Sequence, residues 1–274
     1  MAVDKSGWVV GKVLAEQART RGDAPFIRLE DGPMHSYAQA HELSNRVGNG
    51  FAGIGVRFGE NVAVMLNNRL EYLWTWFGLS RIGAVHVGIN TALKGTFLTH
   101  VLSNTQARIG VFEPDYLPWL ADIEDSVRDL QTVYVPGDVY DTDNLPEFKR
   151  IKVLCFDELL VAGAQEIEVA ISYRDIGMIM FTSGTTGPSK GALMPHGHLY
   201  LFGHCMHLHL RMTAKDHYFI AMPLFHAQAI LMQTYATLIA GGSAVLMRQF
   251  RATTWIDDIR KHKATLTNLL GVMN

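Results

Sequence analysis

Residues 62–89, VAVMLNNRLEYLWTWFGLSRIGAVHVGI, change their hydrophobic period twice. Val62-Ala63-Val64-Met65-Leu66 is a short continuous apolar run, as in a strand buried on both faces. Glu71 to Gly83 carries Leu73, Trp74, Trp76, Phe77 and Leu79 at helical spacing, and Val85 to Ile89 is apolar again. Strand, helix, strand at this spacing predicts a βαβ unit, hence parallel strands with helices on their faces. The alternation continues through a helix (Lys94 to Asn104), a strand (Ile109 to Phe112), a helix (Leu117 to Val127) and a strand (Thr132 to Val135). The polar segment PGDVYDTDNLPEFKR, 136–150, is expected to be an exposed loop. Beyond it come a strand (Val153 to Phe156), a short helix, and a strand (Ile176 to Phe181). A helix from about Pro195 to Arg211, a strand (His217 to Ala221), a helix (Ala227 to Ala240), a strand (Ala244 to Met247), a helix (Thr253 to His262) and a strand (Thr265 to Thr267) follow. The predicted class is α/β, with two parallel-sheet subdomains, 1–175 and 176–274.

Composition narrows the function. With 24 Lys+Arg against 26 Asp+Glu the formal charge is −2, which lacks the clustered positive charge that nucleic acid or an anionic membrane surface requires. Apolar residues are 48% and charged residues 18%, below the roughly 25% of an average soluble domain. Cys155 and Cys205 lie far apart with no CxxC spacing, so neither a disulfide framework nor a zinc ribbon is indicated, and a reducing, cytoplasmic setting is expected. The amino terminus, with an acidic residue at position 4, does not read as a signal peptide. From His217 to Met247 no residue is charged, but Pro223, His226, Gln228, Gln233 and Gly241-Gly242 interrupt the run. Its longest helical piece falls short of the roughly 20 residues of a membrane span.

Directly after the strand ending at Phe181 stands Thr182-Ser183-Gly184-Thr185-Thr186-Gly187-Pro188-Ser189-Lys190-Gly191. Glycines let backbone N–H groups approach anionic oxygens, hydroxyls donate further hydrogen bonds, and an ammonium offsets charge on the outer phosphates of a nucleotide. The loop is not of the G-x-x-x-x-G-K-[ST] type, because Ser189 precedes the lysine and Gly191 follows it. Nor is it a nucleophile elbow, since Phe181 stands where G-x-S-x-G needs glycine.

The string TSGTTGPSKG resembles the phosphate-binding signature of the adenylate-forming (AMP-binding) superfamily, which includes the ATP-dependent acyl-CoA synthetases. The usual pattern has proline just before the lysine; here that place is Ser189 and the proline is Pro188. Met222-Pro223-Leu224-Phe225-His226 is similar to the family's second core motif. Gly59 to Val64 with Arg81 to Val85 resembles its opening Rossmann-like unit, and Gly241 to Leu246 the strand after its substrate-pocket helix, while Thr267 to Met273 lacks the usual Val-Pro turn. The resemblance spans essentially the whole chain and implies two Rossmann-like parallel-sheet subdomains.

It also implies a reaction. A carboxylic acid and MgATP would give an acyl-adenylate and pyrophosphate, and coenzyme A would then displace AMP to form a thioester. Thr182, Ser183, Gly184, Thr185, Thr186, Gly187 and Lys190 are the implied phosphate-binding residues, and His226 would orient the acyl group. His196, His198, His204, His207 and His209 crowd the segment after the loop, but without HExxH, paired cysteines or a nearby acidic ligand no metal site is assigned. Trp74, Trp76 and Phe77 are expected in the core, and Asp122, Glu124, Asp125 and Asp129 on a solvated helix face. The family's magnesium-binding glutamate, adenine site and catalytic lysine would follow residue 274, so the chain is expected to be an amino-terminal part without the C-terminal domain, inactive alone and prone to self-association. Two other readings stand beside the ligase: a non-catalytic nucleotide- or acyl-binding fragment, and an adenylation domain that loads a carrier protein.

Overall fold

The computed structural model describes residues 4–166, 168–182 and 189–270. Two sheets organise them. The larger has seven strands in the order β7-β6-β5-β3-β4-β8-β9, comprising β3 (Asn61–Met65), β4 (Val85–Gly88), β5 (Ile109–Phe112), β6 (Thr132–Val135), β7 (Lys152–Cys155), β8 (Ile176–Thr182) and β9 (Lys190–Pro195). All its pairings are parallel except β8 with β9. The smaller has the order β10-β11-β1-β2, from β1 (Pro25–Leu29), β2 (His35–Ser36), β10 (His217–Ile220) and β11 (Ser243–Leu246).

The sheets do not divide at residue 175. Strands β8 and β9 complete the first sheet, since Met178 pairs with His86, while β1 pairs in parallel with β11, Ile27 opposite Ala244. Hydrophobic period gives a strand's location along the chain but not its partner, so these long-range exchanges leave no local trace. The period also missed the hairpin return β9 and the elements before residue 59: β1, β2, α1 (Val10–Arg21) and α2 (Tyr37–Gly53). Helix α2 begins with a reciprocal cap. The Ser36 hydroxyl accepts from Gln39 N–H at 3.2 Å, and the Gln39 side chain accepts from Ser36 N–H at 2.8 Å.

Alternation along the strands stacks the layers. Val62 and Val64 face a core shared with Phe26, Ile220 and Leu246 of the other sheet, whereas Ala63 and Met65 face α4 (Gly95–Thr105) and α5 (Leu117–Ala121). In the small sheet Phe219 and Val245 turn outward to pack with Trp255 and Ile259 of α9 (Trp255–Lys261). Between the sheets lies α3 (Leu70–Ile82), buried from Tyr72 to Ile82, with Trp74, Trp76 and Phe77 in the shared core. It stops at Gly83, whose φ of 73° is left-handed and whose N–H bonds to Leu79 O. The remaining helices are α6 (Asp157–Leu160), α7 (His196–His209), a π-helix (Gln228–Tyr235) and α8 (Ala236–Ala240), which continues it. None of the described helices is long and apolar enough to cross a membrane.

Three local expectations change. The helix over 117–127 ends at Ala121, and a 3₁₀ turn at Glu124–Ser126 swings Glu124 inward to 5% exposure. Its carboxylate accepts from the N–H groups of Lys149, Arg150 and Ile151 at 2.7–2.9 Å, so it anchors the end of the 136–150 segment instead of facing solvent. Desolvation pushes its pKa up, but these backbone donors outweigh that and hold it below the ordinary carboxylate value. Residues 227–240 wind first as a π-helix, with the Thr234 hydroxyl donating to Ala229 O five residues back at 2.9 Å. Residues 265–267 make only a single parallel bridge, Leu266 to Tyr218.

Candidate functional site

From β3 the chain adds β4 on one side and then crosses over to add β5 on the other, so the order in which strands are laid down reverses between β3 and β5 while all three stay parallel. In open α/β sheets, ligands collect at the carboxyl ends of strands near such a reversal. The segments that leave these ends are Leu66 to Arg69 after β3, Ile89 to Leu93 after β4, Glu113 after β5 and the loop after β8.

Strand β8 ends at Thr182 and β9 starts at Lys190, and the two residues are directly paired. The Thr182 hydroxyl donates to Lys190 O at 3.4 Å, and both side chains are exposed. The hairpin therefore delivers a hydroxyl and an ammonium side by side at the base of the loop. Ser183, Gly184, Thr185, Thr186 and Gly187 lie outside the described residues. Gly191 lets the returning strand lie close, because a Cβ there would stand 3.0 Å from Ile179 Cγ2.

His226 follows β10 on the other sheet. It is exposed, and its ring packs on Phe225 with centroids 4.3 Å apart. Partial burial against this wall lowers its pKa, which favours the neutral imidazole at neutral pH. Its carbonyl accepts from Ala229 and Ile230 N–H at 3.1 and 3.2 Å, so it opens the π-helix. The two candidate pieces approach through Gly88, at the carboxyl end of β4. Gly88 pairs with Met180 of β8, two residues before Thr182, and a Cβ on it would come within 3.7 Å of Phe225 Cα.

The residue that fixes this junction is Asn68, which the periodic reading passed over. Its amide is buried, donates to Met222 O at 3.0 Å and Met247 O at 2.9 Å, and accepts from Leu224 N–H at 2.8 Å. One side chain from the large sheet thus holds the ends of both β10 and β11. Beside it Arg69, 2% exposed, reaches Glu71 at 2.9 Å, Glu113 at 2.6 Å and also Asp138. Glu113 accepts from Asn67 N–H at 3.2 Å, yet desolvation raises its pKa despite Arg69. The polar run Asn67-Asn68-Arg69 after an apolar strand was the available signal.

The other histidines are scattered. His196 is buried, and a Cβ on Gly177 would stand 2.5 Å from its ring; burial lowers its pKa to about 4. The His204 and His207 rings are 6.1 Å apart. Among the described residues no three His, Cys, Asp or Glu side chains gather as a metal would need.

The family model described as AMP-binding enzyme matches residues 14–273. A crotonobetaine/carnitine–CoA ligase of Salmonella agona (strain SL483) is 30% identical over 245 residues, covering 87% of this chain and 45% of that protein. The chain therefore spans about half the length of the relatives it matches. The crystal structure of the anthranilate CoA ligase AuaEII in complex with anthranoyl-AMP superposes with a TM-score of 0.83 at 23% identity, covering 94% of this chain and 49% of that one. ATP-bound MatB from Rhodopseudomonas palustris superposes with a TM-score of 0.79 at 23% identity, covering 95% and 48%.

Proposed function

The chain belongs to the AMP-binding enzyme family, and from that premise we propose that it supplies the phosphate and acyl-carboxylate half of an ATP-dependent acid–CoA ligase. A carboxylate oxygen attacks the α-phosphorus of ATP, the bond to the β-phosphate oxygen breaks, and pyrophosphate leaves. The thiol of coenzyme A then attacks the acyl carbon, releasing AMP. In-line displacement at phosphorus needs positioning and charge stabilisation more than a protein nucleophile. Thr182 and Lys190, with Ser183, Gly184, Thr185, Thr186 and Gly187, hold the β- and γ-phosphates, and neutral His226 donates to and orients the carboxylate.

The observation that carries this reading is the paired Thr182 and Lys190 at the carboxyl edge of the sheet, next to the strand end that abuts Phe225-His226. No described residue is assigned to magnesium, which arrives on the nucleotide's phosphates. Coenzyme A is the proposed acceptor because the relative at 30% identity is named as a CoA ligase. A cytoplasmic setting belongs to the same proposal.

The test is carboxylate-dependent exchange of labelled pyrophosphate into ATP by the full-length gene product, with crotonobetaine, benzoate and butyrate as probe acids. Lys190→Ala is expected to lower exchange about a hundredfold, the usual scale for removing one preorganised charge-stabilising donor. Unchanged exchange across a range of MgATP would overturn the assignment.

A further inference from the structure

Helix α4 reaches the loop from the far side of the large sheet. His100 Nε2 lies 2.9 Å from the carbonyl oxygen of Ser189, the residue before Lys190, across 89 positions of sequence. One turn further on, Asn104 Nδ2 is 3.1 Å from His100 Nδ1 and 2.7 Å from the His100 main-chain oxygen.

We propose that His100 is a positioning residue for the phosphate loop, its Nε2–H holding the Ser189 carbonyl and so orienting the peptide that leads into Lys190. This rests on the reading of that loop as the phosphate site.

A carbonyl oxygen can only accept, so the Ser189 contact requires a proton on His100 Nε2. Asn104 packs on the imidazole: its Nδ2 lies 3.1 Å from Nδ1 and 3.4 Å from Nε2 while it donates to the His100 carbonyl. Among the described residues the β8–β9 ladder reaches the Thr182–Lys190 pair, and β9 is the outermost strand. A peptide unit is planar and trans, so fixing Ser189 C=O also points Lys190 N–H the opposite way and sets where Lys190 Cα stands. The family pattern has proline, with its fixed φ, where this chain has Ser189. A hydrogen bond from α4 supplies the stiffness that a serine lacks.

The test uses the full-length gene product and titration calorimetry with MgATP and with AMP, which lacks the outer phosphates. His100→Met keeps bulk and removes the donor; His100→Gln restores an N–H at similar reach. His100→Met should weaken MgATP about three- to tenfold, the worth of one modest hydrogen bond, while AMP affinity stays unchanged and His100→Gln behaves as wild type. Equal loss for MgATP and AMP would mark a merely structural role and overturn the proposal, as would His100→Gln matching His100→Met. Should Lys190→Ala weaken MgATP and His100→Met not, only this proposal falls; if neither does, the phosphate-loop reading falls with it. Independently of any variant's folding, ¹⁵N shifts of the wild-type imidazole should report the proton on Nε2, and finding it on Nδ1 would overturn the assignment.

Discussion

At the loop stem, Thr182 and Lys190 are exposed and face each other across the outermost ladder of the large sheet. Asn68, by contrast, is buried and bonds to three backbone groups of the other sheet. The stem is local, with partners eight residues apart, and its hydroxyl and ammonium side chains are exposed. The Asn68 junction is non-local, with partners 154 to 179 residues away, and its chemistry is spent inside the protein. Water can replace a lost bond at the stem, so changes there should appear in binding; at the junction it cannot, so changes there should appear in stability.

The strongest way to break this contrast is Asn68→Ala. It would leave two carbonyls and one N–H buried without partners, at about 1–3 kcal/mol each and not fully additive. We expect unfolding in urea to show a loss of about 3 kcal/mol or more, against less than about 0.5 kcal/mol for Lys190→Ala at its exposed site. Asn68→Asp should fare no better, because it sets a carboxylate against the Met222 and Met247 carbonyls. Similar losses for Asn68→Ala and Lys190→Ala would remove the distinction.

The same difference explains what could be read without coordinates. The strand Ile109–Phe112 and the helix core around Trp74, Trp76 and Phe77 stand where hydrophobic period puts them, because period reports burial of one segment at a time. The loop 182–191 could be singled out because its hydroxyls, glycines and lysine are contiguous in the sequence. Asn68 was not, because an asparagine beside a strand looks like a turn until its partners at 222, 224 and 247 come into view. Glu124 misled for the opposite reason: in a run of acidic residues it looks solvated, and only the 3₁₀ turn sends it inward to the 149–151 backbone.

Acid should attack the interior before the stem. Burial lowers the pKa of His86 to about 3 and of His196 to about 4, and neither ring has a hydrogen-bond partner among the described residues. In the unfolded chain both would titrate near 6.5. As pH falls below that value the unfolded state takes up protons that the folded state refuses, so stability falls, at roughly 1.4 kcal/mol per pH unit for each histidine. The decline should begin near pH 6.5 and level off only as the folded values are reached. Urea midpoints between pH 7.5 and 5 measure it, and His86→Phe should flatten the curve in part, since burial also lowers His41 to about 4. A wild-type curve that is flat over this range would show that the two rings are hydrated or paired in the folded protein.

The smallest effect sits where the two regions touch. A Cβ on Gly88 would fall 2.6 Å from the Tyr72 hydroxyl but at an ordinary contact distance of 3.7 Å from Phe225 Cα, so Gly88→Ala must displace the buried Tyr72 side chain. Overpacking of this kind costs about 1–3 kcal/mol, and we expect the lower end because one hydroxyl makes the closest contact. Tyr72→Phe removes that oxygen, so the Gly88→Ala, Tyr72→Phe double variant should regain most of the loss, with a coupling of about 1 kcal/mol in a double-mutant cycle. If the pair instead adds without coupling, the Tyr72 hydroxyl is not what resists the added methyl group. Either result shows whether the Tyr72 hydroxyl limits side-chain size at this strand end.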